Sequence, residues 1–529
     1  MIVSREEMIA LERGSGYTGS ELMERAGQAV WEDLIRDLVP GSRVLILAGK
    51  GNNGGDGFVL ARLLSREPRT GLTAPDHQVR VWLAEGLPAS REAEEAFARM
   101  DPGLVLNLPE RPEHTGMTFE QALARADLVI DAVYGFSYHG PLREPVRSLF
   151  RQVNASGIPV RSIDLNSGSE ADSGYADPDA LRSRVTWALE CRKPVHQMNR
   201  TLGLAQEIRV LDLGIRKDQE QTAETPAFAG SRPEMDEKVF FSLFPERKAN
   251  DWKGSRGKVL LIAGSYGMAG AACLNILGAK TVGAGYLQAA LPDSIYSIAA
   301  GRFLTPVYYP FTEENAVAAI RGLLRDARTV CFGSGAVRMP RKREILQLVL
   351  ESGVPAVLDA EALNLLSERE DGSLLKTLPQ DGSVKAETAA GPAPVRVLTP
   401  HIGEFSHLTG LSTEEIRQRP VKAAEQYAAD HRVILVLKGA DTIVASPEGR
   451  IYINQSGSPA LAQAGSGDLL AGMTAAMMSL VPDAFTAVCM AVWLHGRLAE
   501  PEISGHSVQC LPLETFPEIM DRVLREQGR

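Results

Sequence analysis

Val44-Leu-Ile-Leu-Ala-Gly-Lys-Gly-Asn-Asn-Gly-Gly-Asp-Gly57 decides how the first half of this chain is read. Its first five residues form an apolar run without alternation, as in a parallel strand covered on both faces. Gly49, Gly51 and Gly54 then match GxGxxG, between that strand and a helix over residues 58–65. Glycines at such a turn let the backbone approach a phosphate, and the helix N-terminus offers free N–H groups and a favourable dipole. A plain tight turn has the same spacing. Asn52, Asn53 and Asp56, read as members of the same loop, are polar groups that a plain turn does not need.

Working outward, similar apolar runs occur at residues 79–83, 128–133 and 160–163, with helical patterning at 4–38 and 90–100. Within the first helical stretch, Leu22, Met23, Ala26 and Val30 share a face. Strand, helix, strand, helix predicts a doubly wound α/β sheet. Asp131 and Asp164 each end a predicted strand. They lead into Gly135-Phe-Ser-Tyr-His-Gly-Pro141 and Asn166-Ser167-Gly168. Ligands of open parallel sheets sit at the carboxyl ends of the strands, so three polar loops point to one crevice. Each aspartate taken singly also reads as a cap or turn residue.

The pattern fails over residues 216–235, a polar, proline-containing stretch read as a linker between domains at 1–215 and 236–529. A second α/β series follows, with strand-like runs at 259–263, 330–332, 356–358, 395–398, 434–437, 442–445 and 451–453. Helices of small residues intervene at 269–282 and 469–480, and residues 372–394 read as a surface excursion. Gln463-Ala-Gly-Ser-Gly-Asp468 opens the second of those helices. Gly465 and Gly467 expose N–H groups for an anion, and Asp468 stands beside them to take a proton from a hydroxyl. An N-cap aspartate behind a glycine turn is the simpler alternative. Lys438-Gly439-Ala440-Asp441-Thr442 places a lysine and a glycine turn at a strand end, suited to nucleotide phosphates.

Composition sets the frame. At roughly 150 residues per domain, 529 residues allow three domains or two large ones. The formal net charge of −10 argues against a nucleic-acid binder. Five scattered cysteines without a CxxC pair fit buried thiols in a reducing compartment. The N-terminus lacks the apolar stretch of a secretory signal. The longest uncharged apolar run, residues 469–481, has 13 residues, short of the roughly 20 a membrane span needs. A cytoplasmic protein without membrane or nucleic-acid partners is expected.

The blocks Ala48–Arg62, Asp131–Ser137 and Ser162–Gly168 resemble the NAD(P)H-hydrate epimerase domain over about residues 1–215. That resemblance implies a Rossmann-like three-layer α/β sandwich. In it Asn52, Asn53, Gly54, Gly55 and Asp56, with Gly135, Phe136, Ser137, Tyr138, His139, Gly140 and Pro141, contact the hydrated dinucleotide. Asp164 binds substrate and moves the proton, and Asn53, Asp131 and Ser167 hold potassium. Those are hard oxygen donors, which suits a hard cation. Asn166 stands where that family usually has proline, and residues 186–198 are unusually polar for the strand and loop expected there.

The second half resembles the ribokinase-like fold, and within it the ADP-dependent NAD(P)H-hydrate dehydratase. The blocks are Gly257–Ala272, Leu358–Leu366, Leu398–Phe405, Leu437–Thr442 and Ala464–Asp468 with Leu494-His-Gly496. Thr399-Pro-His-Ile-Gly-Glu404 is the most specific, because sugar kinases of this fold lack it. The resemblance implies that Lys438, Gly439, Ala440, Asp441, Thr442 and Gly467 hold ADP with Mg²⁺. Gly335, His401 and Asp468 then face the nicotinamide hydrate, with Asp468 as base. Ser334, Glu361, Ala464 and Ser466 replace the usual proline, aspartate, glycine and threonine. His495 reads as structural. The expectation is a bifunctional repair enzyme for hydrated NADH and NADPH (NADHX and NADPHX), assembled as a homo-oligomer. The alternatives are a vitamin or sugar kinase fused to a nucleotide-binding module, or a first domain that only binds.

Overall fold

In the computed structural model, which describes residues 1–66, 78–108, 117–215, 230–368 and 394–529, every strand-like run named above is a strand or most of one. The chain divides into two compact units, Met1–Thr225 and Pro226–Arg529. The divide falls inside the stretch expected to be a linker, whose residues 216–229 lie outside the described residues, as do residues 372–393 of the expected excursion.

Among the described residues of the first unit, six strands form one parallel sheet. They are β1 (Arg43–Ala48), β2 (Gln78–Leu83), β3 (Leu128–Ala132), β4 (Val160–Ile163), β5 (Ser183–Leu189) and β6 (Ala205–Leu211), in the order β2-β1-β3-β4-β5-β6. The order reverses between β1 and β3, and their carboxyl ends open the crevice in which such sheets take ligands. The single helical stretch expected over 4–38 is two helices, α1 (Arg5–Gly14) and α2 (Gly19–Asp37). Ser4 and Thr18 each start a capping box, and Gly16 turns the chain between the helices at φ 77°.

The glycine-rich block departs from its reading as a loop. It forms the first turns of α3, Asn52–Arg66. Most of its glycines are required by packing. A Cβ on Gly49 would lie 2.1 Å from the Val133 carbonyl oxygen, on Gly54 1.9 Å from that of Gly49, and on Gly55 2.4 Å from the Met23 side chain. Gly51 alone of this group meets nothing within 4 Å. It is the glycine left for a ligand to approach.

In the second unit, nine strands among the described residues form the other sheet. They are β7 (Lys258–Ile262), β8 (Tyr286–Pro292), β9 (Val307–Phe311), β10 (Thr329–Phe332), β11 (Ala356–Leu358), β12 (Arg396–Leu398), β13 (Ile434–Leu437), β14 (Ile443–Ala445) and β15 (Ile451–Ile453). The order is β15-β14-β13-β12-β11-β10-β7-β8-β9, antiparallel only in the pairings of β13 with β14 and β14 with β15. Here the switch lies between β7 and β10. Their following loops are laced together, Gly264 N donating to Ser334 O (2.8 Å) and Ser265 Oγ to Gly335 O (2.7 Å). Helices Ala269–Thr281 and Ser466–Leu480 pack backbone to backbone. A Cβ on Gly278 would lie 2.1 Å from Leu469 O, and one on Gly472 2.1 Å from Asn275 O. That close crossing sets the N-terminus of the second helix, and with it Asp468, against the switch point.

Strands β6, β8 and β9 are missing from the sequence reading, and β5 entered it only as the polar strand expected from the resemblance. β6 and β9 are edge strands with half-exposed faces, and β9 carries Pro310, which an edge tolerates. β5 contains Ser183, Arg184 and Thr186, which break the apolar run.

Candidate active sites

In the first unit a cavity of about 530 Å³, within the range of small-molecule sites, opens at the β1–β3 switch. Asn52, Asn53, Asp56, Gly135, Phe136, Ser137, Tyr138, His139 and Asp164 all line it. Gly54 and Gly55 serve the packing just described. Gly140 is tied back through its N–H to Glu170 Oε1 (2.9 Å), and neither it nor Pro141 lines the cavity.

Asp164 is the centre of the site. It follows β4 at φ 63°, a left-handed conformation unusual for a residue with a side chain. Its Oδ1 accepts from Lys193 Nζ at 2.6 Å and its Oδ2 from Phe136 N at 3.0 Å. Both partners of the ion pair are buried, the side chains 0% and 4% exposed. Lys193 also donates to Leu189 O (3.0 Å) and lies beneath the Phe136 ring. Three more carboxyl groups, Glu12, Asp56 and Glu85, line the cavity. Burial, followed by the charge of Asp164, raises the pKa of Asp56 well above the usual carboxylate range and that of Glu12 to a lesser degree. Burial thus favours the protonated form of Asp56, which can donate a hydrogen bond, beside the Asp164–Lys193 ion pair.

Lys193 and Glu12 are absent from the expected site. Lys193 sits in the polar stretch 186–198, whose polarity the structure explains. Thr186 Oγ1 donates to Asn166 Oδ1 (2.7 Å), and Asn166 Nδ2 bonds Leu181 O, Ser183 Oγ and Leu204 O at 3.0–3.1 Å. Asparagine in place of proline thus ties three chain segments together behind Asp164.

Asp131 and Ser167 lie under the cavity floor. Asp131 is fully buried and accepts from Ser162 Oγ (2.9 Å), Ser167 N (2.9 Å) and Ser167 Oγ (2.5 Å). Burial nevertheless pushes its pKa up to about 6. Both polar atoms of the Asn53 side chain are buried without a hydrogen-bond partner. A buried amide oxygen without a hydrogen-bond partner is a hard donor of the kind a hard cation takes.

In the second unit Lys438 joins the pieces. Its Nζ lies 3.0 Å from Asp359 Oδ1 and 3.9 Å from Glu404 Oε2, and a Cβ on Gly467 would sit 3.2 Å from it. The ammonium bridges the glycine turn and an acidic cluster, rather than standing free for phosphates. Ser334 Oγ donates to Asp359 Oδ2 (3.0 Å). Asn275 Nδ2 donates to Ser334 Oγ (3.1 Å) and to Asp468 O (2.6 Å). Burial, then repulsion from Asp359, pushes the Asp468 carboxyl up to about 6, against a hydrogen bond from Ser334 and the charge of Lys438. Asp359 and Glu404 lie inside the quoted sequence blocks, yet neither is among the expected site residues.

Gly439 and Ala440 are exposed, and Thr442 Oγ1 closes their turn on Gly439 O (2.9 Å). Asp441 is buried beneath it, and Gly335 lies at the switch with φ 66°. His401 caps helix Ile402–Thr409, its Nδ1 accepting from Gly403 N (3.0 Å) and Glu404 N (3.2 Å). His495 is buried against Ser466.

Two α/β units, each with buried carboxylates and a buried or half-buried lysine at its switch point, define an enzyme with two separate sites for nucleotide-like ligands. The NAD(P)H-hydrate dehydratase family model matches residues 259–520, and that of the YjeF-related protein N-terminus matches residues 19–195. The Bifunctional NAD(P)H-hydrate repair enzyme Nnr of Moorella thermoacetica is 31% identical over 518 residues, covering 95% of this chain and 92% of the relative. The protein of that name from Gloeobacter violaceus is 33% identical over 509 residues, covering 95% and 93%. Among solved structures, the ADP/ATP-dependent NAD(P)H-hydrate dehydratase from Bacillus subtilis co-crystallized with ATP/Mg²⁺ is 29% identical, covers 55% of this chain and 97% of its own, and has a TM-score of 0.46. The chain belongs to the family of bifunctional NAD(P)H-hydrate repair enzymes. Its first unit is the Rossmann-like sandwich and its second the ribokinase-like domain. Among the described residues no helix is long and apolar enough to cross a membrane.

Proposed function

We propose that the two switch-point sites divide the family's two reactions between them. The first unit interconverts the R and S hydrates of NADH and NADPH, and the second dehydrates the S hydrate at the expense of ADP. The observation that carries the division is chemical. Each site holds a carboxylate at its switch point, Asp164 or Asp468, that is placed by hydrogen bonds and charge rather than left to solvent.

Epimerisation breaks and remakes a bond at C6, so a group must hand a proton to the atom that leaves C6 and take it back when that bond re-forms. Asp164 takes that role, with Lys193 holding the charge of its carboxylate and Asp56 donating to the ligand. Asn53, Asp131 and Ser167 fit potassium, because the unpartnered Asn53 oxygen and the buried carboxylate are hard donors. The ion would neutralise Asp131 and brace the loop from Tyr134, whose N–H bonds Ser167 Oγ (2.8 Å). Asn53→Ala is expected to lose most of the stimulation of epimerisation by KCl over equal LiCl. An unchanged potassium titration would remove Asn53 from the ion site.

In the second unit the C6 hydroxyl attacks the terminal phosphorus of ADP, Asp468 takes its proton, and AMP leaves. Phosphate, a far better leaving group than hydroxide, then departs from C6. Loss of a C5 proton restores the ring double bond, so hydrate and ADP give NAD(P)H, AMP and phosphate. The turn Lys438–Thr442, exposed at Gly439 and Ala440, and the N–H groups at Gly467 hold the nucleotide. Mg²⁺ carried on those phosphates would screen their charge. Among the described residues no group of three or more His, Cys, Asp and Glu side chains is arranged to hold a metal.

The test is to supply both hydrates of NADPH and follow reduced-nicotinamide absorbance with and without ADP, after subtracting spontaneous interconversion. Complete recovery of both epimers is expected with ADP. Recovery of one epimer beyond background would remove the epimerase reading. The base also predicts a pH dependence. Asp468 must be ionised to accept a proton, and its pKa lies near 6. Thus kcat/KM for dehydration falls about tenfold per unit as pH drops below 6. A profile flat down to pH 5, measured in initial rates against an enzyme-free control, would contradict the assignment.

A further inference from the structure

His196 has no place in the mechanism so far, yet its ring touches both halves of the ion pair at the epimerase centre. It lies in the short helix Pro194–Gln197 and is 6% exposed. Its Nε2 is 2.9 Å from the backbone oxygen of Asp164, and its Nδ1 is 3.0 Å from the backbone nitrogen of Lys193. A carbonyl can only accept and an amide N–H can only donate. The ring is therefore held as one neutral tautomer, with its proton on Nε2. Burial favours that neutral form, pushing the imidazole pKa down to about 4.

What the ring secures is costly to secure otherwise. Asp164 sits at φ 63°, where a residue with a Cβ is strained. Its own N–H is tied to Trp187 O (2.8 Å), and the imidazole satisfies its carbonyl. With both backbone groups fixed, the carboxylate is turned toward Lys193 Nζ and Phe136 N. The other face of the same ring seats the Lys193 backbone, so one side chain fixes the start of both side chains of the pair.

We propose that His196 is a positioning residue of the epimerase, clamping the backbones of Asp164 and Lys193 so that their ion pair is aimed into the cavity. The proposal rests on the reading of Asp164 as the proton-transfer group. A misplacement of about 1 Å at a reacting group costs on the order of 10²-fold in rate.

Two substitutions separate the clamp from mere packing. His196→Gln is long enough to carry an amide N–H to Asp164 O. His196→Asn keeps an acceptor for Lys193 N but is too short to reach Asp164. Epimerisation is followed by chromatography of the hydrate epimers without nucleotide, so that the second unit is silent. ADP-dependent dehydration by the same chains then reports the concentration of active enzyme. The expected result is a fall in kcat of roughly 10²-fold for His196→Asn, with KM within about twofold and unfolding of the first unit still cooperative. His196→Gln is expected to recover kcat to within about fivefold. Equal kcat values for the two variants, or a loss confined to KM, would overturn the clamp. Asp164→Asn is run beside them. If it epimerises normally, the reading of Asp164 fails. If it is inactive while His196→Asn keeps full kcat, only the positioning proposal fails.

Discussion

Asp468→Asn is expected to abolish ADP-dependent recovery of NAD(P)H from the S hydrate, while the same chain still interconverts R and S hydrates at the wild-type rate. The amide keeps the size of the carboxylate and leaves the Asn275 bond to the Asp468 backbone oxygen intact, so the start of helix Ser466–Leu480 is preserved. What disappears is the acceptor for the hydroxyl proton. Losing a general base costs about 10²–10⁴-fold, and here nothing nearby replaces it. Asp359 is already engaged by Lys438, Ser334 and Thr399, and Glu404 by the His401 backbone and, at longer range, by Lys438. The substitution removes one of several negative charges around Lys438, so ADP binding is expected to be retained. Loss of kcat with KM for ADP within a fewfold therefore marks Asp468 as a base. Equal loss of nucleotide binding would mark it as part of the phosphate site. Dehydration that survives the change would show the base to be another residue.

The fold was legible because parallel strands covered on both faces are written as unbroken apolar runs, and those runs delimit most strands of both sheets. The carboxylates at their ends were legible for the same reason. Asp131 and Asp164 stand at the boundary where an apolar strand meets a polar loop, and the topology brings such boundaries together. Lys193 was not legible. Nothing in a lone lysine after β5 says that its ammonium turns inward to a carboxylate 29 residues earlier in the chain. Nor was the helical start of the Asn52–Asp56 block, because glycines normally interrupt helices. Here the close approach of α3 to Gly49 and α2 excludes any larger side chain and overrides that preference. Lys438 shows a partial success. Its place at a strand end beside the glycine turn was readable, but its sharing among Asp359, Glu404 and Gly467 depends on three loops distant in sequence.

Asp164→Asn carries the second large effect, and it acts on stability as well as rate. Epimerisation is expected to fall by about 10²–10⁴-fold, with ADP-dependent dehydration of the S hydrate unchanged. The substitution also leaves the Lys193 ammonium buried without its counter-charge, the side chain being 0% exposed. Breaking a buried pair from one side costs about 3–5 kcal/mol. For a unit of this size that lowers the unfolding temperature by roughly 6–20 °C. An inactive Asp164→Asn chain could therefore be inactive for want of a fold, and a second change separates the two causes. Adding Lys193→Met removes the stranded charge and keeps the length of the side chain beneath Phe136. The double variant is expected to regain most of the lost unfolding temperature and none of the epimerase rate. If it regains rate along with stability, Asp164 serves the fold and the proton is moved by another group, with Asp56, buried in the same cavity with its pKa raised, the first to test.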